Sequence, residues 1–174
     1  VMIYQSMSGD AESGTSTFTM KGGTLTGRNG DQIYVTNTHS VITLEDVTIT
    51  NQDSSGRLLA ILGNDATRGW GTAGANGGQV DLTTTNQTLT GAIEVDTVST
   101  LNFTMGKGTN FTGTINIVEN AEGGTAVDNN AVITVEEGAT WTLTGNVTIT
   151  SLENKGTINF NGYTITLADG TVLK

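Results

Sequence analysis

Three carboxylates stand within a stretch of sixteen residues, each next to apolar strand residues. Asp81 lies between Val80 and Leu82, while Glu94 and Asp96 alternate with Ile93 and Val95. In an extended chain successive side chains point to opposite faces, so inward Val80, Leu82, Ile93 and Val95 leave these three acids outside. Glu94 and Asp96 on one face, joined by a loop oxygen, would suit Ca²⁺, a hard cation that takes oxygen ligands. Solvated surface charge is the competing reading. A second group, Asp65, Arg68 and Trp70, sits in the glycine-rich stretch 63–78. An indole beside charged groups suits a sugar ring, the aromatic face stacking while the polar groups bond hydroxyls. Trp70 folded back over an apolar seam is the alternative.

Nucleophilic or acid–base catalysis has little to draw on. The chain has no Cys and one His, His39, between Thr38 and Ser40. There is no second His, and nothing in the sequence marks either neighbouring hydroxyl as a poised nucleophile, so it reads as a turn residue and no catalytic set is expected. Glu45-Asp46 and Glu136-Glu137 each follow an apolar alternation and read as turn acids that aid solubility and discourage edge pairing.

These side chains need a scaffold, and the scaffold reads as strands. Apolar residues alternate with Thr, Asn or Ser, as in Val47-Thr48-Ile49-Thr50 and Thr140-Trp141-Thr142-Leu143-Thr144. No segment carries a capped 3.6-residue stripe, and Thr, about a fifth of the chain, is a poor helix former. Trp141 shares parity with Leu143 and is expected in the core. At 174 residues one domain is the natural size. With 24 Gly, no Pro and only 35% hydrophobic residues, an ordinary thick core is not expected.

A longer repeat organises the strands. The apolar pairs Phe18/Met20, Ile42/Leu44, Val80/Leu82, Leu101/Phe103, Ile133/Val135 and Ile158/Phe160 align as the first strand of successive coils. Second strands then fall at Leu25, Val47/Ile49, Leu89, Phe111, Trp141/Leu143 and Tyr163/Ile165. Third strands fall at Ile33/Val35, Leu58/Ala60, Ile93/Val95, Ile115/Ile117, Val147/Ile149 and Val172. This pattern predicts an all-β right-handed parallel β-helix of about six coils, three short strands per coil, with excursions near 63–78 and 119–130. Gly22-Gly23, Asn29-Gly30, Gly123-Gly124, Glu137-Gly138 and Asn161-Gly162 mark turns that need positive φ. An antiparallel sandwich with Asn-Gly hairpins is the competing topology. The single domain, 1–174, reads as a fragment of a longer protein, its end coils covered by neighbouring coils or another chain.

Charge and hydropathy narrow the partners. The net charge of −10, with seven Lys and Arg scattered singly, argues against nucleic acid and anionic lipid, which require clustered positive charge. No apolar run is long enough to cross a bilayer and the start lacks a signal-peptide pattern, so the segment reads as soluble. Thr-x-Thr triplets recur at the second strand, at Thr24, Thr48, Thr88, Thr142 and Thr164.

With these residues in place, the sequence resembles bacterial β-helical surface and secreted proteins: adhesins, autotransporter passengers and pectin-lyase-like solenoids. The likeness is carried by the stretch from Trp141-Thr142-Leu143-Thr144-Gly145-Asn146 to Leu152, by Gly156-Thr157-Ile158-Asn159-Phe160-Asn161-Gly162, and by Gly30-Asp31-Gln32-Ile33-Tyr34-Val35-Thr36-Asn37. It implies an extracellular or cell-surface setting and a host surface, environmental surface or polysaccharide as partner. Polygalacturonases of that superfamily carry adjacent aspartates, a His-Gly and an Arg-x-Lys. This chain has none of them, since His39 precedes Ser40, and none of its basic residues sits in a recognisable pectate-lyase motif. The expectation is therefore a non-catalytic adhesive or spacer module without an obligatory cofactor. A carbohydrate-binding module, with Ca²⁺ as a conceivable aid, is the alternative; a polysaccharide lyase and an ice-binding protein stand behind it.

Overall fold

The computed structural model describes residues 1–5, 14–64 and 71–174. All regular structure among them is β. In chain order the strands are β1 (Met2–Tyr4), β2 (Thr15–Lys21), β3 (Thr24–Gly27), β4 (Ile33–Thr36), β5 (His39–Glu45), β6 (Thr48–Asn51), β7 (Leu59–Ile61), β8 (Gln79–Thr85) and β9 (Thr88–Asp96). They continue as β10 (Thr100–Met105), β11 (Asn110–Val118), β12 (Ala131–Val135), β13 (Thr140–Thr142), β14 (Val147–Ile149), β15 (Ser151–Asn154), β16 (Thr157–Asn159), β17 (Ile165–Leu167) and β18 (Val172–Leu173).

One sheet runs β15-β12-β10-β8-β5-β2. A second runs β1-β4-β7-β9-β11-β14-β17-β18, with β13 and β16 branching from β11, and β3 pairs with β6 apart from both. Neither large sheet closes on itself. Every pairing among the described strands is parallel except β17 with β18. The competing antiparallel sandwich is thereby set aside.

The core forms where inward residues of successive strands lie in register. Ile42, Leu82, Phe103 and Ile133 make one buried file. Leu89, Phe111 and Trp141 make another, continued by the half-buried Ile158. Ile33, Leu59, Ile93 and Ile115 make a third. Aromatic rings join the first two files: Phe103 meets Phe111 edge-on at 6.1 Å, and Phe111 stacks on Trp141 at 5.9 Å. Trp141 is fully buried, as expected, and its indole N–H donates to the Gly113 carbonyl at 3.1 Å. A narrow interior of this kind explains how a Thr-rich chain folds, because only alternate residues must be apolar.

Gly91 and Gly113 are partners in the β9–β11 ladder, midway along two nine-residue strands. Gly91 has φ +126°, and a Cβ on Gly113 would lie 1.9 Å from the Gly91 carbonyl oxygen. Backbone contact excludes a side chain at Gly113 and the positive φ disfavours one at Gly91, so both strands carry glycine at the same rung for different reasons.

The coil assignment needs five corrections. On the first strands Ile42 registers with Leu82 rather than Val80, and Ile133 with Phe103 rather than Leu101, each a slip of two residues that keeps the inward face. In the second coil Leu59 and Ile61, not Leu58 and Ala60, register with Ile33 and Val35. Arg57 is followed by five consecutive apolar residues, which hide the period-two signal, and a one-residue slip exchanges the faces of a strand. In the last coil Leu152, not Ile158, pairs with Ile133, while Ile158 pairs with Trp141 and Ile165 with Val147. The coil shortens because Thr150 alone separates β14 from β15, leaving no turn of the usual length. Val172 belongs to β18, which returns antiparallel on β17.

Candidate functional site

The carboxylates grouped by the sequence are parted by the fold. Asp81 lies on β8 in one sheet, Glu94 and Asp96 on β9 in the other. Asp81 is thereby separated from the other two, while Glu94 and Asp96 line one cleft with different partners. Among the described residues no three His, Cys, Asp or Glu side chains gather as a metal-binding set.

Asp81 belongs to a polar row on the outer face of its sheet. Its Oδ1 accepts from the Asn102 amide at 2.8 Å, and its Oδ2 meets His39 Nε2 at 2.7 Å. The other imidazole nitrogen, Nδ1, lies 3.2 Å from the Thr15 hydroxyl. The Asn102 amide, followed by His39, holds the Asp81 carboxyl below its ordinary range. His39 is thus the first residue of β5 rather than a turn, a position explained by ladder pairing with Thr15 on one side and Gln79 on the other. The order hydroxyl, imidazole, carboxylate is that of a nucleophilic triad. Here it lies on a half-exposed strand face, and the N–H groups of a paired strand point along the sheet, away from a substrate above it.

Glu94 is bound to a cation the sequence reading left without a role. Arg57 donates to Asp31 through Nε and Nη2 at 2.9 and 2.8 Å and to Glu94 through Nη1. Its backbone N–H adds a 3.0 Å bond to Asp31. Asp31, then Glu94, raises the guanidinium's proton affinity against the opposing effect of burial. This two-sided clamp joins the turn before β4, the approach to β7 and strand β9. Nothing in the local spacing of Asp31, Arg57 and Glu94 announces it: the order β4-β7-β9 brings the three segments side by side, but Glu94 registers with Ala60, and the length of the Arg57 side chain spans the difference.

Asp96 departs from the expectation of an outward, solvated acid. It is 2% exposed, because the segments after β7 and β11 fold across the end of β9. Its Oδ2 accepts from the Gly63 N–H at 2.7 Å and the Asn120 amide at 2.6 Å, while Oδ1 has no hydrogen-bond partner. A cleft of about 160 Å³ is lined here by Arg57, Gly63, Glu94, Asp96, Glu119 and Asn120, among others. Asp65, Arg68 and Trp70 lie outside the described residues.

The most regular surface is made of hydroxyls. On one face Thr24 registers with Thr48 and Thr26 with Thr50. Further along, Thr88, Asn110, Thr140 and Thr157 form one file, and Thr90, Thr112, Thr142 and Asn159 the next. All are exposed or half-exposed and none is charged. The two groups abut at β6 and β9 without a shared ladder. Of the Thr-x-Thr triplets noted in the sequence, the one at Thr164 stands apart, since β17 extends the β14 ladder instead.

No family model, curated protein or solved structure matches the chain.

Proposed function

We propose that this chain is a β-helical, non-catalytic adhesive module of an extracellular bacterial surface or secreted protein, and that a polysaccharide surface is its partner. The coil reading rests on three in-register parallel ladders visited in a recurring order, as β2, β3 and β4 are followed by β5, β6 and β7. The observation that carries the function is the double file of Thr and Asn. Rungs stacked at about 4.8 Å present the same hydroxyl or amide group again and again, a repeating uncharged surface suited to a repeating uncharged polymer.

Retention on a panel of insoluble polysaccharides tests this. The wild-type chain is expected to be retained on at least one, and the double variant Thr112→Lys/Thr142→Lys to be released while keeping its β circular dichroism. Retention that survives the two lysines but falls with Trp70→Ala moves the contact to the 63–78 excursion. No retention on any polymer overturns the adhesive reading.

The same face supports a second reading, ice binding, because regular hydroxyl and methyl groups on a flat sheet can order water into a lattice. Its measurement is given with the predictions below.

A further inference from the structure

We propose that the cleft floored by Asp96 and rimmed by Glu119 binds a single calcium ion that ties together the segments leaving β7 and β11. This goes beyond the adhesive reading and stands independently of it. A buried carboxylate is tolerated when it is paired with a cation, hydrogen-bonded on its oxygens or coordinated to a metal. Asp96 is 2% exposed, and both of its side-chain hydrogen bonds fall on Oδ2. Oδ1 is buried with nothing donating to it, and among the described residues no Lys, Arg or His forms an ion pair with Asp96.

Asn64, next to the Gly63 whose N–H bonds Asp96, carries a second buried oxygen without a partner, Oδ1, in a side chain that is itself only 4% exposed. Asn64 does not itself line the cleft, so the unpartnered Oδ1 of Asp96, which does, carries the argument. The cleft lining points the same way. Its one guanidinium, Arg57, is already clamped by Asp31 and Glu94, which leaves Asp96 and Glu119 uncompensated. Two carboxylates supplemented by amide, backbone and water oxygens make a set suited to Ca²⁺. Its flexible coordination accepts such a mixture, whereas Mg²⁺ demands a near-ideal octahedron.

The test is thermal unfolding of the EDTA-stripped chain, titrated with CaCl₂ or MgCl₂ at constant ionic strength. Ca²⁺ is expected to raise Tm saturably, by about 5–10 °C at a hundredfold excess over Kd, with Mg²⁺ giving a much smaller rise. Asp96→Asn keeps the side-chain shape and should abolish the Ca²⁺ response. Glu119→Gln, at the exposed rim, should leave the metal-free Tm unchanged and weaken the Ca²⁺ affinity several-fold. An unmoved wild-type Tm overturns the site, as does a full Ca²⁺ response in folded Asp96→Asn. Should Asp96→Asn fail to fold, an unaltered Ca²⁺ affinity in Glu119→Gln decides against the site in its place.

Discussion

The side-chain amide of Gln87 bonds both backbone groups of Val47: its Oε1 accepts from the Val47 N–H at 2.9 Å, and its Nε2 donates to the Val47 carbonyl at 2.7 Å. Gln87 is fully buried, and it sits where the ladder between β6 and β9 is missing. The amide there supplies the donor and acceptor that a neighbouring strand would otherwise provide.

Gln87→Leu is therefore expected to be among the more damaging single changes. It leaves a buried N–H and carbonyl unpaired, at a cost of about 2–6 kcal/mol from two groups of about 1–3 kcal/mol each. Urea unfolding measures it, and a loss below about 1 kcal/mol would show that water replaces the amide.

The glycine pair at the middle of β9 and β11 makes a similar prediction from sterics. Gly113→Ala puts a methyl against the Gly91 carbonyl oxygen, at a separation of 1.9 Å before relaxation. Because the obstacle is backbone in a continuous ladder, the loss should be about 2–4 kcal/mol, above that of Gly145→Ala, whose nearest neighbour is the Thr114 methyl at 3.1 Å. Equal melting temperatures for the two variants would contradict this.

The outer row of Asn102, Asp81 and His39 gives a pH dependence with a definite sign. The folded-state pKa of Asp81 is depressed below the ordinary 3.8, so the folded chain releases this proton more readily than the unfolded one. Its stabilisation is present above that value and disappears as pH falls through the lower folded value. With the carboxylate 44% exposed, screening limits the effect to under about 1 kcal/mol. Urea midpoints of wild type and Asp81→Asn should differ modestly at pH 6, and the gap should narrow as pH falls below the ordinary carboxylate range. A gap that widens in acid would reverse the assignment.

Thermal hysteresis and recrystallisation inhibition decide the second reading of the hydroxyl face. If it orders ice, the wild-type chain inhibits recrystallisation and Thr112→Lys/Thr142→Lys does not, the bulky charged ends breaking the flat array. Activity retained in the double variant would remove this face from consideration.

How far these features could be read from the sequence differs with their range. Alternation of Thr with Ile, Val or Leu is a local signal: it sets Phe18/Met20 opposite Ile42/Leu44 and Val80/Leu82 opposite Leu101/Phe103, as observed, but it fixes the face and not the offset, so it aligns Val80 instead of Leu82 with Ile42. It failed at Leu58–Leu62, where every residue is apolar and parity carries no information, and again at Thr150–Leu152, where the coil is short. Site geometry was less legible. The surroundings of Asp96 depend on loops after β7 and β11 that no strand period describes, and the partnership of Thr15, His39 and Asp81 spans three rungs. The same offset that sets Phe18 opposite Ile42 sets Thr15 opposite His39, so this part of the outer face is contained in the coil repeat.

The stacked glycines at the middle of β9 and β11 carry a consequence for how such a chain diversifies. From Thr88 to Asp96 and from Asn110 to Val118 the two backbones stay matched residue for residue past the glycine rung. Length changes must then be absorbed outside them, in the segments that follow β7 and β11. Loops there can grow, shrink or be exchanged without shifting the hydroxyl files by a single position, so what those loops recognise and what the flat wall recognises are free to evolve, or to be engineered, separately.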